Sequence, residues 1–198
     1  MQHRYFIVYK PFNVLCQFSA QEGKQTLKDH FKVPKDVYPV GRLDYDSEGL
    51  LIFTNDKELN NRLLNPAYKH KREYWVQVDG AITNEAIANL QNGVVITIDG
   101  KWYSTKKCTA AICANEPAVP ERTPPIRFRK NIPTSWIKIN LTEGKNRQVR
   151  KMTAAVGFPT LRLIRHSIEK CTVKGLMPGE MKEISKNELF KMLFDLPD

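Results

Sequence analysis

Gly41-Arg42-Leu43-Asp44-Tyr45-Asp46-Ser47-Glu48-Gly49-Leu50-Leu51-Ile52-Phe53-Thr54-Asn55-Asp56 sets three carboxylates, Asp44, Asp46 and Glu48, at alternate positions ahead of an apolar, β-prone run. The chain around it is basic, with 31 Lys and Arg against 21 Asp and Glu and a formal net charge of +10. A carboxylate in cationic surroundings stays ionised and meets anionic substrates, so the stretch reads as a reactive loop feeding a strand. The same spacing admits other readings. D-x-D-x-E-G imitates the start of a calcium loop, but Asn55 stands at the twelfth position, where that loop takes a bidentate Glu. A glycosidase acid/base pair and a solvated acidic turn also fit.

Outward from this stretch, Tyr38-Pro39-Val40 leads in and Leu50 to Thr54 leads out as extended chain, which places Asp44 in a loop held by strands. Asn55-Asp56 caps a helix over 57–64, with Leu59, Leu63 and Leu64 at helical spacing. Upstream, Tyr5 to Tyr9 reads as a strand closed by Lys10-Pro11, and Thr26 to Phe31 as a short helix. Downstream, the basic cluster Lys69 to Arg72 runs into a strand with Tyr74, Val76 and Val78 on one face. Tyr74 is then either a plain core tyrosine or one placed where the basic cluster meets the sheet.

A helix over 83–91 closed by Asn92-Gly93, a strand over 94–98 turned by Asp99-Gly100 and a strand over 107–114 come next. The Pro-rich segment Glu116 to Pro133 carries Arg122, Arg127, Arg129 and Lys130; it reads as a binding element or as a passive linker between lobes. A strand over 135–142 precedes a helix capped by Asn146, with Val149, Met152 and Val156 inward and Arg147, Arg150 and Lys151 as a cationic face. Thr160 to Ile168 alternates apolar and basic residues, a strand with charge on one side. A Pro178-Gly179 turn and a final helix over 186–196 complete the pattern.

At 198 residues the chain buries a core without disulfides, and its four cysteines form no C-x-x-C pair. They read as reduced core residues of a cytoplasmic protein, with no metal site. No run of about eighteen apolar residues suggests a membrane span, and the N-terminal apolar run is too short for a signal peptide. Basic residues interleaved with aromatic ones favour a nucleic-acid partner over a membrane surface, since no amphipathic basic helix stands out.

GRLDYDSEGLLIFTND, KREYWVQV, EGKNRQVRKMTAAVGFPTLRLIR and KGLMPGE, in this order, resemble the RsuA-type family of ribosomal RNA pseudouridine synthases. The block PPIRFRKNIPTSW points to a branch acting on the large subunit. The resemblance implies an α+β fold with a mixed, mostly antiparallel sheet in two lobes flanked by helices around a basic cleft. It implies a single catalytic domain over 1–198, without the N-terminal S4 domain of many relatives. The implied reaction is isomerisation of a uridine, with Asp44 as nucleophile, Tyr74 against the target base, Arg150 paired with the aspartate and Leu163 lining the pocket. Arg42, Arg127, Arg129, Lys130, Arg147 and Lys151 are the expected RNA contacts. No cofactor is implied, ribosomal RNA is the expected partner, and a monomer is expected. Glu169 departs from the family pattern, which has Gly after Ser-Ile.

Overall fold

An apolar run without polar alternation is buried on both faces when it forms a strand. In the computed structural model, which describes residues 2–126 and 132–194, the first such run is β1, Tyr5–Lys10, with every residue buried. Short strands β2 (Val14–Leu15) and β3 (Gln25–Thr26) and helix α1 (Leu27–His30) follow, then β4 (Tyr38–Pro39), β5 (Glu48–Thr54) and α2 (Lys57–Leu64). Next come β6 (Arg72–Asp79), α3 (Asn84–Asn92), β7 (Val95–Ile98), β8 (Lys101–Ser104), β9 (Thr109–Ile112), β10 (Thr134–Leu141) and α4 (Gln148–Ala155). The last described elements are β11 (Thr160–Ile168), β12 (Cys171–Thr172), β13 (Met181–Ile184) and α5 (Lys186–Phe194). The chain divides into two units, Met1–His70 with Ile164–Asp198, and Lys71–Leu163.

In the first unit β1 lies between β13 and β5, antiparallel to both, and β5 pairs in parallel with β11 through Ile164 and Arg165. Lys10, Gly49 and Arg165 therefore form one row across the sheet. Phe6, Val8, Leu51 and Phe53 face one side and pack with Val14, Leu27, Phe31 and Leu43. On β1's other face the Tyr5 ring meets Phe190 of α5 edge-on at 6.2 Å. Helix α2 starts where the Asp56 carboxylate accepts from the N–H groups of Glu58 and Leu59, the partners a capping side chain satisfies. The Tyr5 hydroxyl donates to the same carboxylate at 2.8 Å, which fixes the helix start to the sheet.

The second unit is a meander in which β10 pairs antiparallel with β6 on one side and β9 on the other. Tyr74, Val76 and Val78 alternate inward with Ile137, Ile139 and Leu141, and share a core with Ile87 and Leu90 of α3. β7 and β8 form a separate hairpin. The α+β class and the mostly antiparallel pairing agree with expectation. Among the described residues no helix is long and apolar enough to cross a membrane.

Several expectations need correction. β5 begins at Glu48 and not at Leu50, because Glu48 already pairs with Ile164; its side chain is only 1% exposed. Asn146 does not cap α4. The cap position is Arg147 in the left-handed conformation (φ 51°), and the Gln148 side chain accepts from the Lys145 N–H instead. Arg147 thus stands outside the helix, and the cationic face of α4 narrows to Arg150 and Lys151. β11 does not present a charged side: Arg162 and Arg165 are both buried and, three residues apart, lie on opposite faces. Their guanidinium groups donate to backbone carbonyls, Arg162 to Pro120 at 2.7 Å and Arg165 to Leu50 at 2.8 Å.

The Pro-rich segment is not a linker between lobes. It lies within the second unit, its flanking strands β9 and β10 pair with each other, and Trp136 Nε1 donates to Glu116 at 3.2 Å. Of the cysteines only Cys171 is buried; Cys16, Cys108 and Cys113 are half-buried, and all four are free. Glu169 takes φ 50°, the conformation for which glycine is the low-strain residue, and its carboxylate lies 3.2 Å from His70 Nδ1. The turn survives the substitution.

Candidate active site

Residues 40–47 connect β4 to β5. The loop is closed by the Val40 N–H donating to Ile52 O at 2.8 Å and by a turn in which the Ser47 N–H donates to Asp44 O at 3.1 Å. Arg42 is exposed, Leu43 sits in the core, and Asp44 is half-buried. Asp46 is half-buried too and Glu48 is enclosed, so a freely solvated acidic turn is excluded. Among the described residues no group of three or more His, Cys, Asp and Glu is placed to hold a metal ion.

Beneath the loop lies Lys10, fully buried, whose ammonium donates to the carbonyls of Pro11 at 2.9 Å, Ser47 at 2.8 Å and, more weakly, Tyr45 at 3.4 Å. The side chain therefore ties the loop to the end of β1. Burial pulls the Lys10 pKa down to about 8, while Cys16, Glu48, Asp46 and Asp44 oppose the fall. A lysine whose folded pKa lies below its unfolded value near 10.4 binds fewer protons folded than unfolded between about pH 8 and pH 10, so stability rises with pH across that window. The rise is on the order of 3 kcal/mol, from about 1.4 kcal/mol per unit. Lys10→Met is expected to cost about 2–4 kcal/mol at pH 7, since buried carbonyls lose their donor, and to flatten this rise. Denaturant midpoints at pH 7, 8, 9 and 10 check both; an equal slope in the variant would remove Lys10 as its source.

No cysteine here is set up as a nucleophile. Burial pushes the Cys108 thiol up to about 11 and Cys171 up to about 12, and Cys16 is raised by the same cause.

In the second unit Tyr74 is 9% exposed and shares its cluster with Leu163 and with Val149 and Met152 of α4. Arg150 and Lys151 on the same helix are half-buried, and Arg147 is exposed at its start. The fold thus gathers Tyr74, Leu163 and the Arg150 helix around one apolar cluster. Asp44 and Arg42 belong to the first unit. Arg127, Arg129 and Lys130 lie outside the described residues.

Two residues, one in each unit, escaped the sequence reading. One is Lys10; its signal was present, because a lysine directly following an unalternating apolar strand is drawn into the same buried environment. The other is Glu143, 7% exposed, which accepts from the Tyr103 hydroxyl at 2.6 Å, from the Lys106 N–H at 2.9 Å and from the Gln148 side chain. The hydrogen bond to Glu143, with burial, pushes the Tyr103 phenol up to about 12. Nothing local in the sequence marks Glu143, since its partners lie up to 40 residues away.

Residues 4–155 match the family model described as RNA pseudouridylate synthase. Ribosomal large subunit pseudouridine synthase E of Vibrio parahaemolyticus is 47% identical over 93% of this chain and 75% of its own length. The protein of that name from Xanthomonas axonopodis pv. citri is 45% identical over 87% of this chain and 89% of its own. A crystallised pseudouridylate synthase superposes with a TM-score of 0.78 over 97% of this chain and 74% of that one, at 22% identity, a likeness of fold.

Proposed function

This chain belongs to the RNA pseudouridylate synthase family, and from that premise we propose that it converts a specific uridine of large-subunit ribosomal RNA into pseudouridine. The supporting observation is the near-complete coverage by relatives carrying the large-subunit name, together with an aspartate held half-buried in a loop braced by a buried lysine. The reaction breaks the N1 to C1′ glycosidic bond, turns the base and rejoins it through C5, so the RNA keeps its mass. Asp44 acts as the nucleophile. Tyr74 packs against the target base, and Arg150 serves as the cationic residue of the reaction. Arginine suits that role because its guanidinium stays charged at every working pH.

The base has to leave its stack to react, at a cost of a few kcal/mol, and cationic and aromatic side chains offset that cost. Arg42, Arg147, Lys151 and Leu163, with Arg127, Arg129 and Lys130, are the residues assigned to RNA and pocket contacts. No group is transferred and no electrons are exchanged, so the chemistry calls for no cofactor. The enzyme works as a monomer in the cytoplasm, where ribosomal RNA is made.

The test is incubation of the protein with an unmodified large-subunit transcript carrying tritium at uridine C5. Tritium release with unchanged RNA mass is the expected result. Release of free uracil would instead indicate glycoside hydrolysis. Tight, salt-sensitive binding without tritium release, from naked RNA and from precursor particles alike, would show an RNA-binding protein that keeps the fold without the reaction.

A further inference from the structure

Trp102 is 82% exposed, the most exposed large apolar side chain among the described residues, and its ring has no aromatic, cation–π or hydrogen-bond contact there. It stands on the outer face of the hairpin formed by β7 and β8, opposite Thr97 and on the same face as Val95, itself 54% exposed. Leaving an indole in water is unfavourable by its area alone, and its N–H donor has no protein partner.

The opposite face of the hairpin is anchored. Ile96 is buried in the core of the second unit, and Tyr103, which pairs with Ile96, donates its hydroxyl to Glu143. Glu143 also holds the Lys106 N–H and the side chain of Gln148, the first residue of α4. The exposed indole is therefore fixed through a buried carboxylate to the helix that carries Arg150. A platform held this way loses little conformational freedom on binding.

The charges beside it are of one predominant sign. Lys101 precedes the tryptophan, and exposed Lys106 and Lys107 follow the hairpin. Asp99, at the turn, is the only acid between Gly93 and Cys108. An apolar ring among ammonium groups suits a ligand that is flat and apolar in one part and anionic in the next, which describes an unpaired nucleotide. A second copy of this basic chain would bring like charge against like, and an apolar partner would leave the lysines unanswered.

We propose that Trp102 is a stacking platform for an unpaired base of the RNA substrate, with Lys101, Lys106 and Lys107 answering the adjoining phosphates. This rests on the reading of the protein as an RNA-modifying enzyme and adds a contact on the second unit to it. The platform sets where the RNA lies relative to α4 and takes no part in bond making.

The experiment compares wild type, Trp102→Ala and Trp102→Phe for binding to an unmodified large-subunit transcript, with pseudouridine formation scored in the same reactions. Trp102→Ala is expected to raise the Kd about tenfold and KM with it, whereas Trp102→Phe, which keeps an aromatic face, stays within about threefold of wild type. Binding of oligouridylate, a single-stranded probe, should quench tryptophan fluorescence in wild type and much less in Trp102→Phe. A Kd for Trp102→Ala within twofold of wild type overturns the proposal, as does a variant whose only change is in self-association by sedimentation. The assignment of activity is judged separately: a wild type that binds but makes no pseudouridine removes that assignment, while the affinity comparison still decides the platform.

Discussion

Asp44→Asn is expected to abolish tritium release from C5-labelled uridine, by about a thousandfold or more, while affinity for the same RNA stays within about threefold. Losses of this size follow when a covalent nucleophile is removed, because the remaining groups bind and orient but cannot form the bond. Asparagine matches aspartate in shape and lacks its negative charge. The loop should keep its course, because the turn at this position is made by backbone, with the Ser47 N–H donating to the carbonyl of residue 44 and Lys10 holding the carbonyls of Tyr45 and Ser47. Single-turnover kinetics on a saturating transcript, with affinity measured alongside, is the decisive measurement. Normal turnover by the variant would show that the nucleophile lies elsewhere.

Gly49→Ala is expected to be the most damaging small change to the fold. Gly49 has φ 103°, a region that side-chain-bearing residues rarely enter, and an added Cβ would lie 2.4 Å from the carbonyl oxygen of Arg165. That oxygen belongs to the backbone of the parallel neighbour β11 and has nowhere to retreat without breaking the pairing. Backbone strain of about 1–3 kcal/mol and overpacking of about 1–3 kcal/mol add to a loss of several kcal/mol, a large share of a typical domain's stability. Low soluble yield and a strongly reduced denaturation midpoint are the expected readings. A midpoint within a few degrees of wild type would mean that the two strands separate here more easily than their register implies.

The strands of the second unit were legible because Tyr74, Val76 and Val78 repeat every second residue against polar neighbours, a period that only a half-buried strand explains. The start of α2 was legible because Asp56 carries its capping group in the local sequence. What escaped depended on partners far along the chain. Arg162 and Arg165 look like exposed charge until the carbonyls of Pro120 and Leu50 are brought to them. β13, with the sequence Met-Lys-Glu-Ile, has little strand character of its own and exists through its pairing with β1, some 170 residues earlier. The loop bearing Asp44 was readable as three carboxylates between extended segments, but its brace was not, since Lys10 reaches it from 34 residues upstream of Asp44.

The first unit is built from both ends of the chain, with residues 71–163 emerging in between. β5 takes its partner β1 from the segment before it, but Ile164 and Arg165 of β11, which pair with β5, and β13, which pairs with β1, follow the second unit in the chain. The pairings of β10 with β6 and β9 are made wholly within residues 71–163. During synthesis the sheet that carries the Asp44 loop therefore stays incomplete until β11 and β13 have been made.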